Sequence, residues 1–149
     1  MTDLQGTRTV RTPWHLWVIG VIALLWNAMG AFDYLMTQTK NAAYMSAFTP
    51  EQLEYFYGFP TWVVAAWAIA VWGGVLGALL LLLRKRHAVW VFLVSFVAMV
   101  LTTIHNYVLS DGLKIFTDAG TKIFTAVIFL VALALFLYAR AMSKRGVLA

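Results

Sequence analysis

The chain has 149 residues, of which 62% are apolar and 11% are charged, and it contains no cysteine. This composition fits one compact apolar domain and excludes an additional soluble domain. It also excludes disulfides, thiolate metal sites and covalent attachment of c-type haem. The net charge of +5 would suit nucleic acid binding in a soluble protein. Here the cations form short clusters beside apolar runs, so we interpret them as topology signals and expect no nucleic acid partner.

Four apolar runs are long enough to cross a bilayer, because a hydrocarbon core about 30 Å thick needs roughly 20 helical residues. The predicted spans are residues 14–36, 61–83, 88–109 and 121–141. We therefore predict an all-α membrane protein with one four-helix transmembrane bundle. The bundle would occupy residues 14–142, between tails at 1–13 and 143–149, and its main partner would be the lipid bilayer.

The lysines and arginines fall mainly on one side of this bundle. Eight lie before the first span, in the turn after the second, or at and beyond the end of the fourth. The other three are Lys40, Lys114 and Lys122, in the two remaining loops or at their edge. Since cytoplasmic segments are enriched in cations, both termini are predicted to be cytoplasmic, and the first and third loops are predicted to face outward.

The first outer loop, residues 37–60, is too long to be a bare connection. Within it, the segment Thr49–Gln52 combines an N-cap threonine, a proline at the first helical position and a glutamine able to close a capping box. A short helix from Pro50 to Tyr57 is therefore predicted, stopped by Gly58 and Pro60. Its aromatic residues favour an amphipathic helix that lies on the outer membrane surface or folds over the mouth of the bundle.

Small residues line one face of the second span: Ala66, Ala70, Gly73, Gly74, Gly77 and Ala78. Small residues let helices approach backbone to backbone, which favours association where lipid is as apolar as the side chains. Two interpretations of this helix-packing face are open. It packs against other helices of the same chain, or it forms the interface of a homodimer.

Polar side chains in the spans suggest a pocket that opens outward. On the third span, Ser95, Thr102, His105 and Asn106 form a polar stripe, and a charge inside a bilayer is costly unless it finds a partner or water. The predicted pocket, floored by Asn27 and covered by the aromatic loop, comprises Asn27, Asp33, Thr102, His105, Asn106 and Lys122. The alternative is that Asp33 and Lys122 reach the headgroups while Asn27, His105 and Asn106 form interhelical hydrogen bonds.

No motif indicates catalysis, a cofactor or a metal. The sequence contains no His-x-x-x-His pair, no Gly-x-Ser-x-Gly elbow and no phosphate-binding loop. A haem held by two histidines would need His15 and His87, which lie close to water at the inner interface. We therefore predict no catalytic, cofactor-binding or metal-ligating residue and no enzymatic activity.

Three segments carry a resemblance to a known family: Leu25–Tyr34, Thr49–Gln52, and Trp72–Gly77 with its leucine run and Arg84–Arg86 turn. Together they resemble a group of small bacterial four-helix inner-membrane proteins that are often labelled sugar transporters. The resemblance covers roughly residues 14–107 and implies a multi-pass protein of the bacterial cytoplasmic (inner) membrane. It brings no recognised chemistry with it.

Two kinds of transporter are close in size but differ in their motifs. The smallest sugar carriers use three-helix units with a Pro-Gln signature, whereas no predicted span here has an internal proline. Small multidrug-resistance transporters are four-helix dimers with a glutamate in the middle of the first helix. In this chain the corresponding position holds Asn27, which argues against proton-coupled antiport.

Three functions follow as hypotheses. The first is a non-enzymatic membrane protein that associates through the small-residue face of the second span. It would act as an accessory subunit of a larger membrane complex or as a homo-oligomeric bundle with an outward-facing polar pocket. The second is a small-solute or proton-coupled carrier that uses this pocket, although the inner halves of the helices offer few polar residues to line a route. A membrane-embedded enzyme or haem protein is the third. We predict the first.

Overall fold

The computed structural model describes residues 11–110, 112–115 and 119–149, and in these ranges the chain forms helices and no strands. Four helices are long and apolar enough to cross a membrane. They are α1 (Trp14–Gln38), α4 (Thr61–Leu82), α5 (His87–Ile104) and α7 (Ala119–Lys144). A π-helical turn at His105–Leu109 extends α5. The predicted all-α four-helix bundle of an integral membrane protein is confirmed.

Three short helices connect the spans: α2 (Ala42–Met45), α3 (Pro50–Tyr57) and α6 (Gly112–Ile115). The first turn of α3 is held by the predicted capping box. The Thr49 hydroxyl accepts a hydrogen bond from the Gln52 amide at 3.2 Å, and the Thr49 amide donates to Gln52 Oε1 at 3.1 Å. Its other end is capped by Gly58, whose amide donates to the Glu54 carbonyl at 3.0 Å. The predicted helix from Pro50 to Tyr57 is thus confirmed.

The bundle has two ends with different structures. The short helices and the π-helical turn lie at one end, which we call the loop end, while the turn between α4 and α5 and residues 145–149 lie at the terminal end. The assignment of the loop end to the outside is a prediction from the cations. From the sequence, Thr117 or Asp118 is predicted to cap the start of the fourth span. These two residues and most of the predicted N-terminal tail lie outside the described residues.

Helix α4 packs against α1 through glycine. A Cβ atom added to Gly74 would lie 2.6 Å from Asn27 Cγ, and one added to Gly20 would lie 2.9 Å from Leu82 Cγ. Both distances are far below ordinary contact, so the missing side chain at each glycine makes room for a side chain of the facing helix. The Asn27 amide in turn donates to the Ala23 carbonyl, one turn earlier, at 2.8 Å.

The same face of α4 also packs against α5. A Cβ on Gly77 would lie 2.7 Å from the Phe92 ring, and one on Gly73 would lie 3.2 Å from Ser95 Cβ. The Ser95 hydroxyl donates to the Ala70 carbonyl at 2.6 Å. The helix-packing face of the second span is therefore used inside the chain. Of the two interpretations, the intramolecular one describes these contacts, and the homodimer interface stays a prediction.

An apolar core closes the terminal end. It is formed by buried side chains of all four spans and the segment after α7, among them Leu16, Leu81, Phe92, Leu135, Met142 and Leu148. That segment folds back onto the α4–α5 turn. The Ala149 amide donates to the Arg84 carbonyl at 2.8 Å, and the Arg86 amide donates to the Ala149 carbonyl at 2.9 Å. Residues 143–149, predicted as a tail, thus end α7 and cover the core, with Val147 and Leu148 buried.

Candidate functional site

The loop end of α5 departs from α-helical geometry, and the cause is local. The hydroxyls of Thr102 and Thr103 both donate to the Met99 carbonyl, at 2.8 and 2.9 Å. Such back-bonding competes with the backbone ladder and bends helices. The helix then continues as the π-helical turn His105–Leu109, and Ser110 ends it by donating to the His105 carbonyl at 2.7 Å. Turns of this kind are frequent at functional sites.

The imidazole of His105 is buried at this turn, with 7% of the residue exposed. The rings of Phe59 and Trp62 meet it edge-on, at centroid distances of 5.6 and 5.5 Å. Its Nδ1 atom lies 3.2 Å from Oδ1 of Asn106. Since a carboxamide oxygen only accepts, a hydrogen bond between these atoms requires the hydrogen on Nδ1, and in that tautomer Nε2 carries a lone pair.

Helix α3 covers this turn. The Tyr55 hydroxyl donates to Asn106 Oδ1 at 3.1 Å and lies 2.7 Å from Ser110 Oγ, so one side chain ties α3 to the end of α5. Beneath α3 lies a cavity of about 290 Å³, which we call the loop-end cavity. Its lining residues are Glu54, Tyr55, Gly58, Phe59, Pro60, His105 and Ser110. Of the two predicted positions for the aromatic loop, the structure has it over the mouth of the bundle.

Asp33, predicted as a wall of the polar pocket, has a different partner. It accepts a hydrogen bond from the Tyr44 hydroxyl of α2. Burial, followed by this hydrogen bond and the carboxylate charge, raises the pKa of Tyr44 to about 12. The ring of Tyr44 also meets Phe32 of α1 edge-on, at 5.7 Å. Asp33 therefore fastens the first loop to α1 and does not line the loop-end cavity.

The other predicted pocket residues are also dispersed. Asn27 is packed between α1 and α4, the Thr102 hydroxyl is turned back to its own helix, and Lys122 is exposed on α7. Within the described residues, only His105 of the six predicted residues lines the loop-end cavity, with Asn106 bonded beside it. The prediction of one shared pocket is corrected accordingly. The position of a residue along its helix predicts the depth of its side chain in the membrane. It does not predict which neighbouring helix or loop that side chain contacts.

A second cavity, of about 450 Å³, runs between the loop-end halves of α5 and α7. We call it the α5/α7 groove, and it is lined by Thr103, Tyr107, Lys122, Thr125, Ala126, Phe129 and Leu130. The hydroxyls of Tyr107 and Thr125 join its two sides at 2.8 Å. Buried residues of α7 lie only in its other half, at Leu135, Ala139 and Met142. The two helices are thus closely packed at the terminal end and open a groove at the loop end.

Sequence reasoning missed Glu54 and Phe59 as site residues, because neither lies in a membrane span. The available signal was the density of aromatic residues in the first loop, which is higher than a solvated linker requires. That signal indicated a lid over the bundle but not the loop-end cavity beneath it. Which side chain of the first loop contacts His105 depends on how this loop folds back onto the bundle.

Comparison with known proteins gives no relative. No protein-family model matches the chain, and neither the curated proteins nor the solved structures provide a match. The basis for a function is therefore the geometry of the loop-end cavity and of the helix surfaces.

Proposed function

We propose that this chain is a non-enzymatic integral protein of the bacterial cytoplasmic membrane that serves as an accessory subunit or homo-oligomer, assembling through α7. The observation that carries the proposal is a stripe of exposed residues on α7, successive members being three or four positions apart. The α7 stripe consists of Ala119, Ile123, Ala126, Leu130, Ala134, Leu137 and Ala141. Alanine alternates with a large apolar residue along the whole helix.

This alternation suits helix pairing better than lipid contact. Large apolar residues at such spacing act as knobs, and the alanines between them let a second helix approach closely. The exposed face of α1 is different, since it presents mainly bulky side chains, among them Trp14, Trp17, Ile22, Leu25, Met29 and Phe32. Bulky, irregular faces are well solvated by acyl chains. The α7 stripe is therefore the face that best supports assembly.

The distribution of burial within the bundle supports the same choice. In the most apolar window of α7, 11% of residues are buried, compared with 22% in α1 and 28% in α4 and in the α5 span. The small residues of α4, which would otherwise compete as an interface, are already covered by α1 and α5. A second chain packed on α7 would give this helix the cover that the other three have.

A binding role also accounts for the loop-end cavity better than catalysis does. Among the lining residues, Ser110 is a possible nucleophile beside His105. Its hydroxyl, however, donates a hydrogen bond to the backbone carbonyl of His105 and lies beside the Tyr55 hydroxyl. A serine activated for attack would instead be hydrogen-bonded to the imidazole. This arrangement supports a non-enzymatic protein.

The test is the mass of the intact assembly, purified through an affinity tag in mild detergent. We expect the wild-type protein to isolate as an oligomer or within a larger complex, and Ala134→Trp to release the free chain by filling the space that a partner helix needs. Ala28→Trp is the matched control, because Ala28 is also an exposed alanine, on α1. Isolation of the wild type as a monomer, or an equal effect of both substitutions, would contradict the proposal.

A second candidate function is a carrier for a small solute or protons, and the observation that favours it is the buried imidazole in the loop-end cavity. The closed apolar core at the terminal end argues against it, because a carrier needs a route to both sides. Proton flux into proteoliposomes, followed with a pH-sensitive dye, separates the two functions. We expect no flux above that of protein-free liposomes. Flux that is lost in His105→Ala or Asp33→Asn, with the assembly intact, would favour the carrier.

A further inference from the structure

The described lining of the loop-end cavity carries charge of one sign. Among these lining residues Glu54 alone has a formal charge at neutral pH, and its side chain is exposed. The lining includes no lysine or arginine. A polar ligand in contact with these lining residues therefore meets a negative side chain and no positive one.

Two helix ends add to the negative electrostatic potential in the loop-end cavity. Helix α3 ends at Tyr57 and is followed by Gly58, and the π-helical turn ends at Leu109 and is followed by Ser110. Both Gly58 and Ser110 line the cavity. The C-terminal end of a helix carries a partial negative charge and favours a cation within its last turn. The backbone dipoles therefore favour a cation in the cavity, as the Glu54 carboxylate does.

The buried imidazole adds a hydrogen-bond acceptor. His105 lines the cavity, and its Nδ1 hydrogen is directed to Asn106. Within the described part of the chain, Nε2 has no hydrogen-bond partner, although the residue is only 7% exposed. A buried acceptor without a donor is unfavourable, so this nitrogen calls for an N–H or O–H group of a ligand.

Aromatic rings complete the site. Tyr55 and Phe59 both line the cavity and lie edge to face, with centroids 5.2 Å apart. Aromatic faces attract cations electrostatically, most strongly where water is excluded. With a volume of about 290 Å³, the cavity suits a ligand at or below the lower end of the usual size range.

We propose that the loop-end cavity binds a small organic ammonium ion with at least one N–H bond. The Glu54 carboxylate balances its charge, Nε2 of His105 accepts its hydrogen, and the rings of Tyr55 and Phe59 contact its alkyl part. A quaternary ammonium ion fits less well because it has no hydrogen for Nε2. A metal ion would find one carboxylate and one imidazole, fewer protein ligands than metals such as zinc normally have.

This site lies within one chain and does not depend on assembly through α7. The test uses the full-length protein in nanodiscs of zwitterionic lipid, with n-butylammonium titrated by calorimetry and empty nanodiscs as the blank. We expect saturable binding that is weaker for tetramethylammonium and absent for neutral n-butanol at the same concentration. No saturable binding of n-butylammonium, or equal binding of n-butanol, would overturn the proposal.

Two substitutions on α3 test whether the Glu54 carboxylate contributes to the binding of n-butylammonium. Glu54→Gln removes the charge at nearly constant size, and we expect it to weaken n-butylammonium binding about tenfold or more, as for the loss of a charge-assisted contact. Glu51→Gln is the matched control, since Glu51 is an exposed glutamate of the same helix outside the cavity lining. An equal loss in both variants would mean general surface attraction and would refute the site. Unchanged thermal stability of Glu54→Gln shows that the fold is retained.

Discussion

The contact between Gly77 and Phe92 allows a test of how tightly α4 and α5 are packed. A Cβ atom at position 77 would lie 2.7 Å from both Cδ1 and Cε1 of the Phe92 ring. Carbon atoms in favourable contact are about 3.5–4.0 Å apart, so Gly77→Ala requires the helices or the ring to move by roughly 1 Å. Phe92 is 3% exposed, so its ring can turn only against buried neighbours. Overpacking of this kind costs about 1–3 kcal/mol.

Gly30→Ala is the matched control for this substitution. Gly30 lies in α1, and its added Cβ would be 3.4 Å from Val71 Cγ1, close to an ordinary contact. Both substitutions bring the same gain in helix propensity, about 1 kcal/mol, so this gain cancels when the two variants are compared. The difference between them then reports the clash alone. We expect Gly77→Ala to be less stable than Gly30→Ala by about 1–3 kcal/mol.

The assay is the free energy of unfolding in detergent micelles, measured by denaturant titration with tryptophan fluorescence and circular dichroism. The oligomeric mass is measured in parallel, so that a loss of fold is distinguished from a loss of assembly. Equal stability of the two variants, or a more stable Gly77→Ala, would refute the conclusion that the small-residue face of α4 is packed inside the chain.

Two further predictions concern the ends of the bundle. The pKa of Tyr44 is raised from 10.0 to about 12 in the folded chain, so the protonated phenol is favoured by folding. Its contribution to stability is complete below pH 10 and is lost as the pH rises toward 12. In an ultraviolet titration of tyrosinate, Tyr44→Phe should remove a group that titrates near pH 12, and an unchanged titration would contradict this. At the terminal end, Leu148→Ala should lower the free energy of unfolding by about 2–5 kcal/mol because a buried leucine is truncated. Arg145→Ala, at an exposed position, should change it by less than about 0.5 kcal/mol, and equal effects would show that residues 145–149 do not cover the core.

Local interactions explain the parts of the fold that were predictable. The spans follow from hydropathy and length, which depend only on neighbouring residues. The α3 helix follows from Thr49 and Gln52, three positions apart, whose hydrogen bonds close within one turn. These features need no knowledge of the rest of the chain.

The candidate site was only partly predictable for the opposite reason. His105 and Asn106 were selected as buried polar residues at the outer end of a span, and the structure has them at the loop-end cavity and beside it. Their neighbours Glu54, Tyr55 and Phe59 come from a loop about 50 residues away in sequence, and no spacing rule connects the two segments. Asp33, predicted in the same pocket, instead accepts a hydrogen bond from Tyr44, because the first loop turns back onto α1.

Hydropathy, span length and capping residues are enough to predict an all-α bundle of four membrane-spanning helices and the position of the short loop helix. Tertiary packing, in contrast, places Asn27, Ser95 and Phe92 against the glycines of α4. It also leaves a face of α7 exposed on which alanine alternates with large apolar residues. The physical reason is that hydropathy and capping act within a few residues, whereas the direction of a helix face is set by packing against distant segments.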